Sequence, residues 1–246
     1  MTARAYGRDL AYVHDAGFGA FARDAGAAVL AMLRKSGIRK GTVVDLGCGS
    51  GIWAARLVRA GYVAHGIDIS PDMIALARRR TPRATFECVS LLRAALPRCS
   101  AVTAMGECLN YRFDRRAGAA AIQGLFRHVY DALEPGGLFV FDAAAPGRAS
   151  GPPVKLVEGS GWLVLSTTQE GKRTRVLTRR IVTFRRDGGS WRRSDEVHRL
   201  RLYKPQEVAR WLRAAGFRVR TRRGYVAERL PGEWHVFIAQ TPRRRN

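Results

Sequence analysis

Paired cysteines, long apolar runs and lysine are all scarce in this sequence, and each shortage narrows the possible classes of protein. The four cysteines, Cys48, Cys88, Cys99 and Cys108, form no CxxC pair. Free thiols in a reducing cytoplasm therefore fit better than a disulfide framework or a zinc site. No apolar run reaches the roughly 18 residues of a membrane helix, and the N-terminal stretch lacks an apolar run after a basic start. We expect a cytoplasmic protein with no membrane segment and no secretory signal.

The charge is strongly unbalanced toward arginine. Lys and Arg total 43 against 20 Asp and Glu, a formal net charge of +23, and only five of the 43 are lysine. Residues 1–150 carry 20 basic and 12 acidic side chains, net +8, whereas residues 151–246 carry 23 and 8, net +15. A basic surface is typical of proteins that bind nucleic acid or anionic small molecules. A biased genome composition explains the same numbers, because alanine and glycine are also abundant, and we favour that interpretation.

The length and the alternation of elements indicate one α/β domain. A chain of 246 residues, 46% of them hydrophobic, can form one full core. From residue 42, short apolar runs such as TVVDLG and YVAHGID alternate with helical patterns such as GIWAARLVRAG and SPDMIALARRR. Ser70 as N-cap and Pro71 at the first helical position begin the second of these helices. This alternation is typical of a parallel sheet with helices on both faces.

The two ends of the chain depart from this alternation. Residues 1–35 show the apolar spacing of a helix. After Ser150, three strand-like runs separated by the turn signals GK and DGG predict an antiparallel insertion over residues 151–203. A helix and two strands follow, and the tail PRRRN is expected to fray. We expect a single domain, residues 1–246, with the insertion as a subdomain.

A glycine-rich stretch, VVDLGCGSG at residues 43–51, follows the first strand and differs from a phosphate-binding loop. Its glycines allow a tight turn and the close approach of a ligand to the next helix N-terminus. Asp45 would repel a pyrophosphate but suits the positive end of S-adenosylmethionine, which carries an ammonium and a sulfonium. Asp68 ends the next strand, 17 residues after Gly51, where a carboxylate can accept both ribose hydroxyls. These residues predict an S-adenosylmethionine site.

The same motifs resemble those of the class I S-adenosylmethionine-dependent methyltransferases, of the type that acts on small molecules. VVDLGCGSG resembles the first motif, GIDIS the acidic second motif, and LEPGGLFVFD the turn into the fifth strand. The resemblance spans about residues 5–146 and, more loosely, 195–240. It implies a Rossmann-like seven-stranded, mostly parallel sheet with an antiparallel last strand, the predicted β insertion coming after strand 5. It also implies that residues 1–35 form a helical lid over the cofactor.

The resemblance further implies a set of residues around the cofactor. They are Asp45, Gly47, Cys48, Gly49 and Gly51 at the methionine end, Asp68 at the ribose, Ile69, Met73, Ser90 and Leu91 at the adenine, and Gly106, Glu107 and Tyr111 at the reactive methyl. Ser90 departs from the family, which often has an aspartate here to bond the adenine amino group. We expect a weaker contact at that position.

The acceptor side of the site is indicated only by side chains that could move a proton. Methyl transfer needs alignment of the nucleophile, the methyl carbon and the sulfur, and a general base where the acceptor is a hydroxyl or a protonated amine. The base candidates are His14, Glu107, Asp142, Glu196 and His198. Glu196 and His198 share one face of a strand, so this pair and His14 are the predicted catalytic residues. Ordinary polar residues on a solvent-facing hairpin explain the pair equally well. No cluster of acidic residues indicates a metal site.

Together these features predict a cytoplasmic methyltransferase that moves the methyl group of S-adenosylmethionine to an oxygen or nitrogen of a small-molecule acceptor, which can be anionic. In this family, the insertion commonly forms the acceptor pocket. One alternative is an RNA methyltransferase whose phosphate-binding face comes from the arginines of residues 172–193 and 218–223. The other is a non-catalytic S-adenosylmethionine-binding protein.

Overall fold

The computed structural model describes residues 5–149, 151–226 and 230–243. The predicted break at Ser150, residues 1–4 of the predicted lid and residues 244–246 of the predicted tail lie outside them. The elements follow in the order α1 (Arg8–Lys35), β1 (Thr42–Leu46), α2 (Ile52–Arg59), β2 (Val63–Asp68), α3 (Pro71–Arg80), β3 (Thr85–Cys88), β4 (Cys99–Ala104), a 3₁₀ turn (Cys108–Asn110), α4 (Ala119–Ala132), β5 (Leu133–Ala144), β6 (Val154–Gly159), β7 (Trp162–Gly171), β8 (Val176–Asp187), β9 (Ser190–Arg201), α5 (Pro205–Ala214), β10 (Arg218–Arg222) and β11 (Trp234–Gln240).

The larger sheet has seven strands in the order β10-β11-β5-β4-β1-β2-β3. Strands β1 to β5 pair in parallel, and β11 runs antiparallel to both β5 and β10. One hydrophobic cluster packs α4 and α5 on one face, and a second packs α1, α2 and α3 on the other. The predicted Rossmann-like sheet with an antiparallel last strand is therefore confirmed.

Strong local signals define the helices that flank the cofactor strands. Helix α3 begins as predicted, because the Ser70 hydroxyl accepts a hydrogen bond from Met73 N at 3.1 Å and Pro71 occupies the first helical position. Helix α2 begins directly after the glycine-rich stretch and buries Trp53 and Leu57 against the sheet. The glycine-rich stretch is thereby fixed at the carboxyl end of β1.

The insertion forms a separate antiparallel sheet in the order β6-β7-β8-β9. The sequence predicted its three longer strands but not β6, which joins β7 through the two-residue turn at Ser160 and Gly161. Every residue of β6 is exposed, so it carries no burial pattern that marks a strand. The insertion is thus a four-stranded sheet rather than the three strands predicted.

Helix α1 links the two sheets. Val29 and Leu33 pack with the α2 side of the larger sheet, whereas Leu10 and Val13 pack with Trp162 of the smaller sheet. By length and composition alone, α1 could cross a membrane, with a mean hydropathy of 1.3 over 18 residues, which the search for apolar runs in the sequence missed. About a third of that window is buried, 33%, and the buried residues of α1 pack against both sheets.

Candidate cofactor and acceptor site

A cavity of about 540 Å³ lies between the carboxyl ends of the parallel strands and the smaller sheet. Strand β1 has β2 on one side and β4 on the other, the reversal in strand order at which open α/β sheets bind ligands. Helix α1 closes one side of the cavity. Alternate residues of β7 and β8 form the opposite wall, namely Val164, Ser166, Thr168, Leu177, Arg179 and Ile181.

Most of the residues predicted to bind the cofactor meet in this cavity. Its wall includes Asp45, Gly47, Cys48, Gly49, Asp68, Ile69, Met73, Ser90, Leu91, Gly106, Glu107 and Tyr111. Gly51 is the exception: it precedes α2 with φ at 75°, and a Cβ there would lie 3.0 Å from the Cβ of Ala77. Gly51 therefore turns the chain into α2 behind the cavity wall, and its contact with the cofactor stays a prediction.

Gly49 leaves room for a ligand at the floor of the cavity. Its φ is 53°, and a Cβ built on it would meet no atom within 4 Å. Its amide donates to Asp68 Oδ2 at 2.9 Å, which ties the glycine-rich stretch to the end of β2. An open cradle beside backbone amides fits the carboxylate end of S-adenosylmethionine.

Asp68 is held in place by two backbone amides. Besides the Gly49 amide, its Oδ1 accepts a hydrogen bond from Ser70 N at 2.8 Å. Burial raises the pKa of Asp68 above its usual range. Each carboxylate oxygen keeps a further acceptor position, so Asp68 could still accept two ribose hydroxyls.

Asp45 is buried at the end of β1, and its Oδ1 accepts a hydrogen bond from Thr103 Oγ1 at 2.8 Å. Thr103 Oγ1 in turn accepts from Trp53 Nε1 at 3.1 Å. Burial raises the pKa of Asp45 to about 7. A cationic group placed beside Asp45 would favour its ionised form, as the ammonium of the cofactor would.

Asp114 supplies a carboxylate beside Ser90, where the resemblance had indicated a missing aspartate. Asp114 follows the 3₁₀ turn, lines the cavity, and hydrogen-bonds Ser90 and Arg93, the latter at 3.1 Å. Sequence inspection missed it, because only the fold brings this connection next to the end of β3.

Glu107 is the buried carboxylate at the carboxyl end of β4. It is 4% exposed and has a left-handed φ of 62°, a conformation uncommon for residues other than glycine. Two guanidiniums contact it: Arg148 Nε bonds Oε1, and Arg179 Nη2 lies 3.4 Å from Oε2. Tyr111 completes the group, since its hydroxyl lies 3.4 Å from Arg179 Nη1. Two cations against one carboxylate leave this wall locally positive.

His14 is the predicted catalytic residue that reaches the cavity. Burial lowers its pKa to about 4, so the imidazole is neutral at neutral pH. The ring makes edge contact with Tyr6 at 5.2 Å and lies 6.1 Å from Phe18. A neutral imidazole facing the cavity can accept a hydrogen bond or a proton from an acceptor.

Glu196 and His198 do contact each other, but behind the cavity wall rather than in it. His198 Nε2 lies 2.8 Å from Glu196 Oε2, and the histidine side chain is fully buried. The rings of Tyr6, Tyr111 and Phe113 pack around it. The pair is thus neither solvent-facing nor exposed to the cavity, and this placement argues against His198 as the direct general base.

Asp142, another base candidate, is saturated with hydrogen bonds. Its carboxylate accepts from Gly106 N at 2.8 Å, Glu107 N at 2.6 Å, Tyr225 Oη at 2.5 Å and Trp234 Nε1 at 2.7 Å. Burial raises its pKa to about 6. Asp142 therefore holds the turn that carries Glu107 and has no place in the cavity wall.

Comparison with known proteins agrees with this geometry. Residues 43–137 match a family model described as a methyltransferase domain, which runs from the glycine-rich stretch into β5. Residues 43–137 therefore form a methyltransferase domain, and the protein is an S-adenosylmethionine-dependent methyltransferase. S-adenosylmethionine is accordingly the cofactor of this methyltransferase, and the open cradle at Gly49 and the carboxylates of Asp45 and Asp68 fit it. Among the described residues, no group of three or more His, Cys, Asp and Glu side chains is placed to hold a metal ion.

Relatives of the methyltransferase include enzymes that modify amino sugars. The chain is 26% identical over 196 residues to dTDP-3-amino-3,6-dideoxy-alpha-D-glucopyranose N,N-dimethyltransferase of Streptomyces fradiae, covering 77% of this chain and 74% of the relative. An S-adenosylmethionine-dependent methyltransferase from Clostridium acetobutylicum superposes with a TM-score of 0.80 at 17% identity, covering 94% and 97% of the two chains. The amino pentose methyltransferase CalS10 of Micromonospora echinaspora superposes with a TM-score of 0.74 at 22% identity, covering 93% and 96%.

The cavity wall of the methyltransferase also contains aromatic and basic residues that were not among the predicted site residues. Tyr6, Arg148, Lys155 and Arg179 all line the cavity. Arg179 is one of many arginines in the insertion, and no local pattern separates it from its neighbours. Leu177, Arg179 and Ile181 alternate along β8, so they lie on one face of the strand. The sequence alone does not show that this face covers the cavity.

Proposed function

We propose that this methyltransferase transfers the methyl group to an amino nitrogen of a small acceptor that also carries an anionic group. The observation that carries the proposal is the buried Glu107 carboxylate, which lines the cavity between Arg148 and Arg179. The carboxylate can accept a hydrogen bond from an amino group, and the two guanidiniums leave a net positive charge for an anionic group nearby. Nitrogen rather than oxygen is favoured because His14, with its low pKa, is poorly matched to ionising a hydroxyl at neutral pH.

The cofactor supplies an electrophilic methyl carbon bonded to a sulfonium. The lone pair of the acceptor nitrogen forms the new N–C bond, the C–S bond breaks, and its electron pair stays on sulfur. The methylated nitrogen, now cationic, then loses a proton to solvent water. Glu107 would orient the amino N–H groups so that the lone pair faces the methyl carbon, and His14 would offer a neutral nitrogen nearby.

The anionic part of the acceptor would face the smaller sheet. Lys155, Ser166 and Thr168 line the cavity on that side and offer an ammonium and two hydroxyls. A nucleotide-linked amino sugar, the acceptor for which the Streptomyces fradiae relative is named, combines an amine with a diphosphate. The proposal therefore includes this acceptor class, together with the predicted cytoplasmic location.

The RNA alternative depends on exposed arginines instead. Arg180 and Arg186 point away from the cavity on β8, while Arg179 lines the cavity and Arg185 faces α1, 3.6 Å from Asp9. The arginines of this strand are thus divided between two faces and form no single phosphate-binding surface. The small-molecule proposal gives a role to Arg179, which faces the cavity. The RNA alternative gives this arginine no role.

The test uses methyl-labelled S-adenosylmethionine with dTDP-3-amino-3,6-dideoxy-alpha-D-glucopyranose as the probe. The matched control acceptor carries a 3-hydroxyl in place of the 3-amino group. We expect label on the amino sugar alone, and we expect Glu107→Gln to lower kcat/KM by about 10–150-fold, the worth of a hydrogen bond to a charged group. Equal labelling of the hydroxyl analogue, or labelling of a defined RNA position at about 0.2 M salt, would overturn the proposal, because nonspecific phosphate binding is weak at that salt concentration.

A further inference from the structure

The Glu196–His198 pair is well ordered and buried, yet it does not reach the cavity. Glu196 Oε2 accepts a hydrogen bond from Tyr6 N at 2.9 Å, and Oε1 accepts one from Gly7 N at 2.7 Å. These contacts join β9 to a segment about 190 positions earlier in the chain. A carboxylate that receives two successive amides is a strong, directional anchor.

The segment that Glu196 holds is the start of α1. Gly7 is the N-cap residue of α1 and makes no side-chain cap of its own. The four first amides of a helix need acceptors, and its N-terminus favours a negative charge. Glu196, from a different sheet, accepts the amide of the N-cap residue Gly7 and places its carboxylate at this helix end, so it fixes where α1 begins.

Tyr6 occupies a strained position between two anchors. Its φ is 43°, in the left-handed region that tyrosine rarely adopts. Its amide is held by Glu196, and its carbonyl accepts a hydrogen bond from Ser70 Oγ at 2.8 Å. A backbone conformation of this kind persists only where its surroundings impose it. Here Glu196 and Ser70 impose it on Tyr6.

The side chain of Tyr6 forms part of the cavity wall. Its hydroxyl lies 2.9 Å from the Tyr111 hydroxyl, which in turn lies 3.4 Å from Arg179 Nη1. His198 supports this arrangement from behind, with its ring 4.9 Å from the Tyr6 ring and its Nε2 donating to Glu196. The wall that faces the acceptor thus depends on a carboxylate that the acceptor never touches.

Ser70 connects the same anchor to the cofactor. The Ser70 amide donates to Asp68 Oδ1 at 2.8 Å, while its hydroxyl holds the Tyr6 carbonyl. A continuous set of hydrogen bonds therefore runs from Asp68 through Ser70 and Tyr6 to Glu196. Occupation of the Asp68 side would steady the segment on the acceptor side.

We propose that Glu196 and His198 are positioning residues that hold Tyr6 and the start of α1 against the acceptor side of the cavity. This inference takes the methyltransferase reaction as given and rests on the proposed function only for the choice of acceptor probe. It gives the pair a role in acceptor binding rather than in proton transfer.

Hydrogen–deuterium exchange tests the proposal without any acceptor. We expect amides of residues 5–13 to exchange about tenfold faster or more in Glu196→Gln and His198→Leu than in the wild type, because each change weakens a charge-assisted anchor. His198→Gln keeps an N–H donor and should stay close to the wild type. Asp195→Asn is the matched control, since Asp195 is exposed and pairs with Arg193 on the other face of β9. Saturating S-adenosylhomocysteine should slow exchange of residues 5–13 in the wild type.

Steady-state kinetics with the dTDP-3-amino sugar probe supply the second readout. A positioning role predicts that Glu196→Gln raises KM for the probe about tenfold while kcat stays within about threefold. A general-base role predicts the reverse, a fall in kcat of about 10²–10⁴ with KM little changed, and would overturn the proposal. Unchanged exchange of residues 5–13 in both Glu196→Gln and His198→Leu would also overturn it.

If Glu196→Gln fails to fold, the two His198 variants decide, since both keep the Glu196 carboxylate. If the wild type does not methylate the probe, the proposed function fails, and the exchange data alone still decide the role of the pair.

Discussion

The two walls of the cavity are built in different ways. On the side of the larger sheet, three short stretches at residues 45–50, 68–73 and 90–92 supply most of the contacts, each at the carboxyl end of a parallel strand. On the opposite side, the wall comes from α1, the turn after β4, the connection after β5 and three strands of the insertion, β6, β7 and β8. The first wall uses backbone loops and carboxylates, whereas the second uses side chains that the fold collects from distant parts of the chain.

This difference in construction indicates that cofactor binding and the proposed acceptor binding depend on different parts of the fold. The cofactor wall is part of the parallel sheet, so it is fixed as soon as that sheet forms. The acceptor wall requires the smaller sheet and α1 to pack against each other, through Leu10, Val13, Trp162, Val164 and Ile181. Substitutions on the two walls should therefore affect different measurable quantities.

The largest effect is expected from His14 on the acceptor wall. His14→Asn should lower kcat by about 10²-fold, the low end of proton-transfer effects, because a pKa of about 4 makes the imidazole a weak base. Calorimetry should show S-adenosylhomocysteine binding unchanged, and His128→Asn, on the exposed face of α4, is the control. Normal turnover of the variant would show that His14 takes no part in the reaction. The proposed division of roles between the two walls would then lose its main support.

A smaller effect, on the other wall, is expected from Asp68. Asp68→Ala should weaken S-adenosylhomocysteine binding by about 1.5–3 kcal/mol, the worth of hydrogen bonds to a charged group. The measurement is isothermal titration calorimetry on a folded variant, with the exposed Asp24→Ala as control. Unchanged affinity for the cofactor product, or equal affinity of the wild type for NAD, would contradict the assignment of Asp68 to the ribose.

The smallest effect concerns the pH dependence of stability at Asp45. The pKa of Asp45 is about 7 in the folded protein, against about 3.9 for an unfolded aspartate, so the folded state holds more protons between these values. The free energy of unfolding should therefore fall as pH rises from about 4 to about 7. Between pH 5 and 7, this group should account for about 2 kcal/mol, and Asp45→Asn should remove that part of the dependence.

Urea denaturation at the two pH values measures the Asp45 effect. The wild type and Asp45→Asn share Asp68 and every other titrating group, so their difference reports on Asp45 and its electrostatic coupling to Asp68. Parallel stability curves for the two proteins would show that Asp45 is ionised throughout. The cofactor wall would then carry a permanent negative charge, rather than one that the bound ammonium induces.

The residues predicted to bind the cofactor could be found from the sequence because their signals are local, and the structure brings most of them to one cavity wall. Asp45, Gly49 and Asp68 lie within 24 positions, and the strand–helix alternation around them places their strands side by side. The departure at Ser90 was visible in the sequence. Its neighbour Asp114 was not, since it reaches that place only through the connection after β4.

The acceptor wall was harder to predict for a physical reason. Tyr6 meets Glu196 across about 190 positions, and neither residue carries a pattern that names the other. Glu196 and His198 were correctly placed on one strand face, but the sequence could not show that α1 would bury that face. Strand β6 was missed because its residues are all exposed, so nothing in their hydropathy separates it from a loop.

The alternation along β7 and β8 has a consequence for how such an enzyme diversifies. Ser166, Thr168, Arg179 and Ile181 face the cavity, while the residues between them face away from it. Point mutations at every second position of these two paired strands can therefore change the acceptor side of the cavity. The glycine-rich stretch, Asp45 and Asp68 stay unchanged by such mutations. Selection can act on substrate range as one heritable trait and on cofactor use as another.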